Sequence, residues 1–312
     1  MQKKIIFLAA LVLSAFLYSQ EDTTFVQAHN NVDMDTYGNY DHLTSFPNNS
    51  NSYRKILMHF DLRCSSSGCS DWNYKTSISL LDSLNNNYNL ATVFAPYGAY
   101  MNQQTEGFSN DWVQRHTFDV TDFAPLLKDS VLISAFYEGW VAGFNITLSF
   151  EMIHGIPTRN VLDIQTLWSD ELYTYPNTYM NLHEYYQLLS EVWIPEDTQS
   201  SLIRSIISGH GSEGEFTNEI FYNIEAFNSE MEWSIISKEI WRDDCGEVAL
   251  YPQGGMWVYD RANWCPGDKI IINRHDITSS INPGQNNILR FNLDGSNEDI
   301  DATYDYSFQL IN

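Results

Sequence analysis

Short stretches in which apolar and polar residues alternate recur along the chain, and they constrain its fold more than any other feature. Successive side chains of a β-strand point to opposite faces, so alternation indicates a strand that is buried on one face. Asn, Gly, Ser and Pro residues, which favour turns, bound these stretches. The alternating segments are Ile56–Leu62, Thr76–Leu81, Val131–Phe136, Asn145–Met152, Leu202–Ile207, Ile270–Ile272, Asn287–Leu293 and Tyr304–Leu310. They predict an all-β protein built from antiparallel sandwiches.

Helical periodicity is scarce in this sequence. Leu182–Val192 is compatible with a helix, although its tyrosines fit a strand or an irregular segment as well. Near the middle of the chain, Gly155 and Pro157 interrupt the alternating pattern. We therefore predict an N-terminal domain over residues 21–155 and a C-terminal domain over residues 156–312.

The first twenty residues have the features of a secretory signal peptide. Lys3 and Lys4 form a basic start, an apolar run follows over Ile5–Leu17, and small or polar residues occupy positions 19 and 20. The apolar run is shorter than the roughly 20 residues that a membrane-spanning helix needs. We predict removal of residues 1–20, a secreted or periplasmic location and no association with a membrane.

The chain is strongly acidic, with 40 acidic and 16 basic residues and a formal net charge of −24 at pH 7. Such a surface repels nucleic acids and anionic membranes, so neither is an expected partner. Neutral ligands such as sugars are compatible with it. The acidity is also a common means of keeping a protein soluble, and it therefore selects no ligand by itself.

The sequence contains four cysteines, Cys64, Cys69, Cys245 and Cys265. An even number in an exported chain indicates disulfides, and four cysteines allow three pairings. A zinc site is the rival interpretation. Zinc ligand pairs usually lie about two to four residues apart, and an oxidising compartment disfavours free thiolates. We predict disulfides, and the residues alone leave their pairing open.

No metal or other cofactor is expected. Copper-dependent peptide monooxygenases, which use paired jelly rolls, need clustered histidines and a Met ligand. The eight histidines of this chain include no adjacent or alternating pair. Asp33 and Asp35 are close enough in sequence to bind calcium, but the flanking residues lack the rest of an EF-hand loop, which favours a solvated loop.

Six motifs resemble, in order, those of the peptide-N-glycosidase F family of secreted bacterial amidases, which release N-linked glycans from asparagine. They are CSSSGCSDWN (64–73), FAPYGAY (94–100), DVTDFAPLL (119–127), YEGW (137–140), ISGHG (207–211) and DRANWCPG (260–267). The cysteine pair with its Trp and the last motif are specific when taken together. The resemblance implies two antiparallel jelly-roll β-sandwich domains packed side by side, with the active cleft between them. It also implies the disulfides Cys64–Cys69 and Cys245–Cys265.

The resemblance implies hydrolysis of the amide bond that links an N-linked glycan to asparagine, in an N-linked glycoprotein or glycopeptide. Carboxylates with tuned pKa values can act as base and acid in this reaction, without a metal. Carried over from the family, Glu138 and Glu219 are the two supporting glutamates, one in each half. The positions implied in substrate binding are Trp72, Tyr74, Trp140, His210, Arg261 and Trp264. Among these, Tyr74 replaces an Arg of the family and His210 replaces a Trp.

The most consequential departure from the family is Asn73, which stands where the family has its essential Asp. An amide cannot take a proton from water at neutral pH, and loss of a general acid or base typically slows a reaction about 10²- to 10⁴-fold. Glu138, Glu219 and Asp71 are the alternative groups for proton transfer. On a strand Asp71 would share a face with Asn73, but about 7 Å away.

Two functions follow from this substitution. The first is a secreted amidase that Asn73 impairs, and we favour it because the motifs match an enzyme family. The second is a non-catalytic protein that binds N-glycans or glycopeptides on the same scaffold.

Overall fold

A computed structural model describes residues 23–48, 52–98, 112–174, 187–211, 213–227, 233–250, 252–295 and 301–312. The predicted signal peptide lies outside the described residues and stays a prediction. Within the described ranges, none of the helices has the length and apolar character needed to cross a membrane.

The described secondary structure consists of strands and a few short 3-10 helices. The first eight strands are β1 (Thr23–Met34), β2 (Gly38–Phe46), β3 (Tyr53–Cys64), β4 (Lys75–Leu81), β5 (Asn87–Phe94), β6 (Val113–Asp119), β7 (Asp129–Tyr137) and β8 (Phe144–His154). The remaining strands are β9 (Ile164–Thr174), β10 (Gln187–Ile194), β11 (Leu202–His210), β12 (Ile220–Phe227), β13 (Trp233–Glu239), β14 (Asn273–Asp276), β15 (Gln285–Gly295) and β16 (Ala302–Ile311). The 3-10 helices are Thr121–Phe123, Cys245–Glu247 and Thr278–Ser280.

These strands form four antiparallel sheets, two in each half of the chain. In the first half the orders are β1-β8-β3-β6 and β2-β7-β4-β5. In the second half they are β9-β16-β11-β14 and β10-β15-β12-β13, which is the same pair of orders with every strand number raised by eight. Two four-stranded sheets connected in this way form a jelly roll. The predicted fold class, two antiparallel jelly-roll sandwiches, is therefore confirmed.

Strand β8 shows how the alternating pattern builds the core. Every second side chain is fully buried, and those between them include partly exposed polar residues. The buried set is Phe144, Ile146, Leu148, Phe150 and Met152. Each such side chain stabilises the fold by about 1.5–3 kcal/mol relative to leaving it exposed. All the segments predicted from alternation lie in strands except one.

The exception is Ile270–Ile272, because β14 begins only at Asn273. The backbone N–H of Ile270 donates to the Thr92 carbonyl at a distance of 2.9 Å. Its side chain packs with Phe94, Ile206 and Trp264 in a small cluster. The apolar run therefore reflects burial of Ile270 against β5, with Ile271 exposed, and not a strand of its own. The described part of Leu182–Val192 is strand, which excludes the helical interpretation there.

The two halves meet through one sheet each, β2-β7-β4-β5 and β9-β16-β11-β14. Arg204 on β11 is fully buried, and its guanidinium donates to the carbonyls of Asn89, at 2.8 Å, and Leu90 on β5. Burial lowers the pKa of Arg204 to about 9, so it stays charged at neutral pH. Thr166 on β9 donates to the Asn87 carbonyl at 2.8 Å. We propose that the domain boundary lies in the connection between β8 and β9, where the sequence predicts it.

Candidate active site

The centre of the site is Asp305, on the face of β16 that points toward the first half. The register places Asp305 between Ser208 of β11 and Glu171 of β9. Side chains two residues apart on a strand share a face, so His210 lies beside Asp305 as well. Tyr304, the preceding residue, points to the opposite face and is buried in the core of the second half. The strand pattern thus brings one imidazole and two carboxylates to the same face.

Lys75 connects this face to the first half. Its Nζ lies 2.7 Å from Glu138 Oε1 and forms a second ion pair with Asp305. Glu138 directly follows β7, and its backbone N–H donates to the Lys75 carbonyl at 3.1 Å. Burial acts to lower the pKa of Lys75, but the charges of Asp305 and Glu138 outweigh burial and hold this pKa above its usual value. Lys75 is therefore a fixed cation between two carboxylates.

The two carboxylates have pKa values that are driven apart. Burial raises the pKa of Glu138 above its usual value, although Lys75 acts in the opposite direction. Burial would also raise the pKa of Asp305, but the hydrogen bond from His210 and the charge of Lys75 lower it to about 2. Asp305 is thus ionised throughout the neutral range, and Glu138 accepts a proton more readily than an ordinary glutamate. Environments that separate two carboxyl pKa values in this way are typical of acid–base sites.

His210 ends β11 and contacts Asp305 through one ring nitrogen. Its Nε2 lies 3.3 Å from Asp305 Oδ2 and 2.9 Å from Ser208 Oγ. Its Nδ1 makes no hydrogen bond to any residue in the part of the chain that the structure describes. The ring lies beside those of Phe94 and Trp264, with centroid distances of 5.6 and 5.5 Å. The imidazole is therefore held in place while 22% of the side chain stays exposed.

A cavity of about 380 Å³ opens at this cluster. Five residues predicted from the sequence line it, namely Asn73, Tyr74, Glu138, His210 and Trp264. A second cavity of about 390 Å³ runs between the facing sheets of the two halves. Both cavities are lined by Lys75, Glu138, Glu171 and Asp305, so the two cavities are continuous.

The other predicted site residues do not line these cavities. Asp71 and Trp72 lie on a bend before β4, so the strand geometry that would align Asp71 with Asn73 is wrong. Trp72 is 61% exposed and Trp140 is 72% exposed. The Trp140 ring stacks on Tyr37, with a centroid distance of 4.8 Å and an interplanar angle of 14°. These tryptophans offer open aromatic faces outside the cavity.

The structure brings Glu215 to the cavity and leaves Glu219 on the surface. Glu219 is exposed, and its backbone N–H donates to Glu239 Oε1 at 3.1 Å. Glu215 lines the cavity and forms an ion pair with Arg261. The supporting role that the resemblance implies for Glu219 stays a prediction, and Glu215 is the nearer carboxylate to the cavity.

Arg261 is fully buried and cannot touch a ligand in the cavity. Its guanidinium carbon lies 4.8 Å from the ring centroids of both Phe216 and Trp264. Burial lowers the pKa of this guanidinium below its usual value. Arg261 thus supports Glu215 and Trp264 from behind. Trp264 itself is only 3% exposed, and its Nε1 donates to the Gly209 carbonyl at 2.9 Å.

Both disulfides have the pairing that the resemblance implies, Cys64–Cys69 and Cys245–Cys265, which leaves no thiolate for zinc. The loop closed by Cys64–Cys69 leads into Asn73 and β4. It packs tightly on Gly143, where a Cβ atom would lie 2.1 Å from the backbone nitrogen of Ser70. The disulfide and this close contact together fix the chain just before the cavity.

Among the described residues, one group of acidic side chains could surround a metal ion, namely Glu138, Glu171 and Asp305. Their carboxylate oxygens lie within 4.8 Å of one another. Lys75 already supplies the positive charge between Glu138 and Asp305. The cluster is therefore an ion-paired network, and we assign no metal to it.

Comparison with known proteins identifies relatives that have this fold. Residues 175–305 match the family model described as peptide-N-glycosidase F, C terminal. Over 276 residues the chain is 21% identical to peptide-N(4)-(N-acetyl-beta-D-glucosaminyl)asparagine amidase F of Elizabethkingia miricola. This alignment covers 85% of this chain and 70% of the relative. The chain is thus similar, with strong divergence, to the peptide-N-glycosidase F family.

Two solved structures share its architecture. PNGase F, a glycosylasparaginase from Flavobacterium meningosepticum, superimposes with a TM-score of 0.75 at 18% identity, over 93% of this chain and 96% of the other. PNGF-II superimposes with a TM-score of 0.67 at 14% identity, over 97% of this chain and 67% of the other. At these identities the structural similarity shows the fold alone.

Residues that the sequence did not reveal complete the site. They are Lys75, Phe94, Glu171, Glu215 and Asp305. Phe94 opens the FAPYGAY motif, and Asp305 is an acid between two aromatic residues in the alternating segment Tyr304–Leu310. An acidic residue on the outward face of a strand is common, so this signal becomes specific only when the facing sheet is known.

Proposed function

We propose that this protein hydrolyses the amide bond between an N-linked glycan and the asparagine that carries it. The observation that supports the proposal is the pair of carboxylates, Glu138 and Asp305, whose pKa values are driven apart within one cavity. The similarity to a named asparagine amidase gives the substrate class.

In this reaction a water oxygen forms a bond to the amide carbon and the carbon–nitrogen bond breaks. The water loses a proton, and the departing nitrogen gains one. The products are an aspartyl peptide and a glycosylamine. Glu138 is suited to donate the proton to nitrogen, because its raised pKa keeps a larger fraction protonated than an ordinary glutamate would have. The amide of Asn73 can hydrogen-bond to the substrate, but it cannot act as the base.

Exposed aromatic rings near the site fit a carbohydrate substrate. Sugar rings pack on flat aromatic side chains, and Trp140 is held open by its stacking on Tyr37. We propose that Trp140 and Trp72 contact the glycan or the flanking peptide. The signal-peptide pattern and the two disulfides support action outside the cytoplasm.

The second candidate function is glycan binding without hydrolysis. The observation that favours it is Asn73, which lines the cavity where the family has its essential Asp. A protein of this kind would use the same aromatic faces and the same cavity.

The test is glycan release from a denatured N-glycoprotein, followed by mass spectrometry of the glycan-bearing asparagine. The purified chain is compared with Asn73→Asp and, as a control for contaminating activity, with Asn73→Asp combined with Glu138→Gln. Conversion of asparagine to aspartate by the unmutated chain supports the amidase. Conversion by Asn73→Asp alone supports the binding protein. If no protein converts asparagine, the amidase proposal fails.

A further inference from the structure

We propose that His210, oriented by Asp305, takes the proton from the attacking water, which is the step that Asn73 cannot perform. This inference rests on the proposed amidase function. It assigns a catalytic role to a residue that occupies the position of an aromatic platform in the family.

The first argument is the orientation of the imidazole. Asp305 faces His210 Nε2 at 3.3 Å, and an ionised carboxylate can only accept a hydrogen bond, so Nε2 carries the proton. The tautomer is then fixed with the lone pair on Nδ1. That nitrogen bonds to no residue that the structure describes, and His210 lines the cavity together with Asn73. A carboxylate that holds a histidine in one tautomer is the arrangement used by general bases in hydrolases.

The second argument compares His210 with the carboxylates of the same cavity. Asp305 is a weak base, since its pKa is about 2 and it is already paired with Lys75. Glu138 is paired with Lys75 and is suited to donate a proton. Glu215 is paired with Arg261.

The remaining carboxylate, Glu171, is exposed and accepts a hydrogen bond from the Tyr173 hydroxyl at 2.5 Å. His210 Nδ1, in contrast, carries a lone pair and faces no cation among the described residues that would hold it, so His210 is the group of this cavity best placed to accept a proton.

The electrostatic surroundings favour the protonated form that the step creates. Asp305 and Glu138 are the acidic groups whose charges act on or near His210, and Lys75 opposes them from between the two carboxylates. Glu171 and Glu215 face the same cavity. The net charge facing the imidazole is negative, so an imidazolium is stabilised as it forms.

The protons that leave and enter the reacting groups are exchanged between His210 and Glu138, so no other proton donor or acceptor is needed. The water proton moves to His210 Nδ1, while the water oxygen bonds to the amide carbon. Glu138 gives its proton to the amide nitrogen as the carbon–nitrogen bond breaks. The imidazolium then returns its proton to the Glu138 carboxylate, directly or through solvent, and both groups are ready for the next substrate.

The experiment measures glycan release from a glycopeptide by the full chain and by His210→Gln. We expect kcat to fall about 10²- to 10⁴-fold with KM little changed, because the step lost is proton transfer. His154→Gln, a substitution of the same kind at the end of β8, is the matched control and should keep full activity. Circular dichroism and thermal unfolding check that each variant is folded.

Two rescue measurements separate a catalytic role from a structural one. In His210→Ala, added imidazole should restore part of kcat, since it supplies the missing base. In His210→Gln, the additional substitution Asn73→Asp should restore activity by placing a carboxylate in the cavity. Asp305→Asn should lower kcat and move the acidic midpoint of the kcat/KM profile to lower pH, because the neighbouring negative charge is lost.

The outcomes distinguish the two proposals. Equal rates for the unmutated chain and His210→Gln would overturn the role of His210 while the amidase function stands. Loss of activity that neither imidazole nor Asn73→Asp rescues, in a folded variant, also overturns it. Activity only after Asn73→Asp shows a competent scaffold in which His210 does not act as the base. If no variant releases glycan, the amidase function itself fails.

Discussion

Lys75 Nζ lies 2.7 Å from Glu138 Oε1, and the same ammonium forms an ion pair with Asp305 in the other half of the molecule. Only 8% of the Lys75 side chain is exposed. One cation therefore joins the two jelly rolls and offsets part of the negative charge of Glu138 and Asp305. Stability and chemistry depend on the same three side chains.

Replacing this cation should destabilise the protein. Lys75→Met leaves Glu138 and Asp305 facing each other without a counter-charge, and breaking a largely buried ion pair by removing one partner costs about 3 kcal/mol. The free energy of unfolding, measured with urea at pH 7, should fall by that amount. Lys55→Met is the matched control, since the Lys55–Asp119 pair is exposed and contributes about 0.5 kcal/mol. Equal effects of the two substitutions would contradict the buried ion-pair assignment.

Trp140→Ala should weaken substrate binding. The exposed ring is held open by Tyr37, and loss of an aromatic stacking surface costs about 1–1.5 kcal/mol. KM for a glycopeptide should therefore rise about tenfold, with kcat little changed. Trp193→Ala removes a ring that is 56% exposed on β10, away from the cavities, and should have no effect on KM. An unchanged KM in Trp140→Ala would exclude this ring from the binding surface.

The two disulfides should contribute unequally to stability. Cys245–Cys265 closes a loop with a sequence separation of 20, and Cys64–Cys69 closes one of 5. Loop-closure entropy then predicts losses of about 3 and about 2 kcal/mol when each pair is replaced by serines. Denaturant unfolding of the two double variants measures both values. The opposite order would mean that local packing outweighs chain entropy here.

His116 should make the fold sensitive to mild acid. It is buried on β6, and burial lowers its pKa to about 4, although Asp268 acts in the opposite direction. An unfolded histidine titrates near about 6.5. Between these two values the unfolded chain binds a proton that the folded chain does not, so this contribution to stability is lost as the pH falls. Lowering the pH from about 7 to about 4.5 should cost on the order of 2 kcal/mol through this group.

The measurement is urea unfolding across that pH range. His116→Gln should reduce the pH dependence of the free energy of unfolding, because one of the histidines whose pKa is lowered by burial is gone, while His29 and His275 remain. An unchanged pH dependence in His116→Gln would exclude a contribution from His116.

The sequence predicts local structure well where burial alternates. Along β8 a fully buried residue at every second position from Phe144 to Met152 fixes both the strand and the face that forms the core, whereas β16 is buried on both faces from Tyr306 onward. Ile270–Ile272 shows the limit of the pattern. Three apolar residues in a row are compatible with a strand, but here Ile270 is buried against β5 outside any strand and Ile271 is exposed.

The site could be predicted only in part. Motifs in the sequence predict Asn73, Glu138 and His210, and these three residues meet in one cavity. The sequence does not predict Lys75 and Asp305, because they are 230 positions apart and neither stands in a motif that marks its partner. Arg261 was assigned to binding by its motif, yet the chain buries it behind Trp264. Residue type and spacing do not show on which side of a buried ring a charge will lie.

The two jelly rolls repeat one strand order, but they meet through sheets that are not equivalent. The first contributes β2-β7-β4-β5, and the second contributes the counterpart of β1-β8-β3-β6. A two-fold pairing of like sheets would have placed the same kind of surface on both sides of the cleft. The unlike pairing lets one wall carry the lysine and the other the histidine and its aspartate. Asymmetry between two similar units thus provides the site with complementary charges.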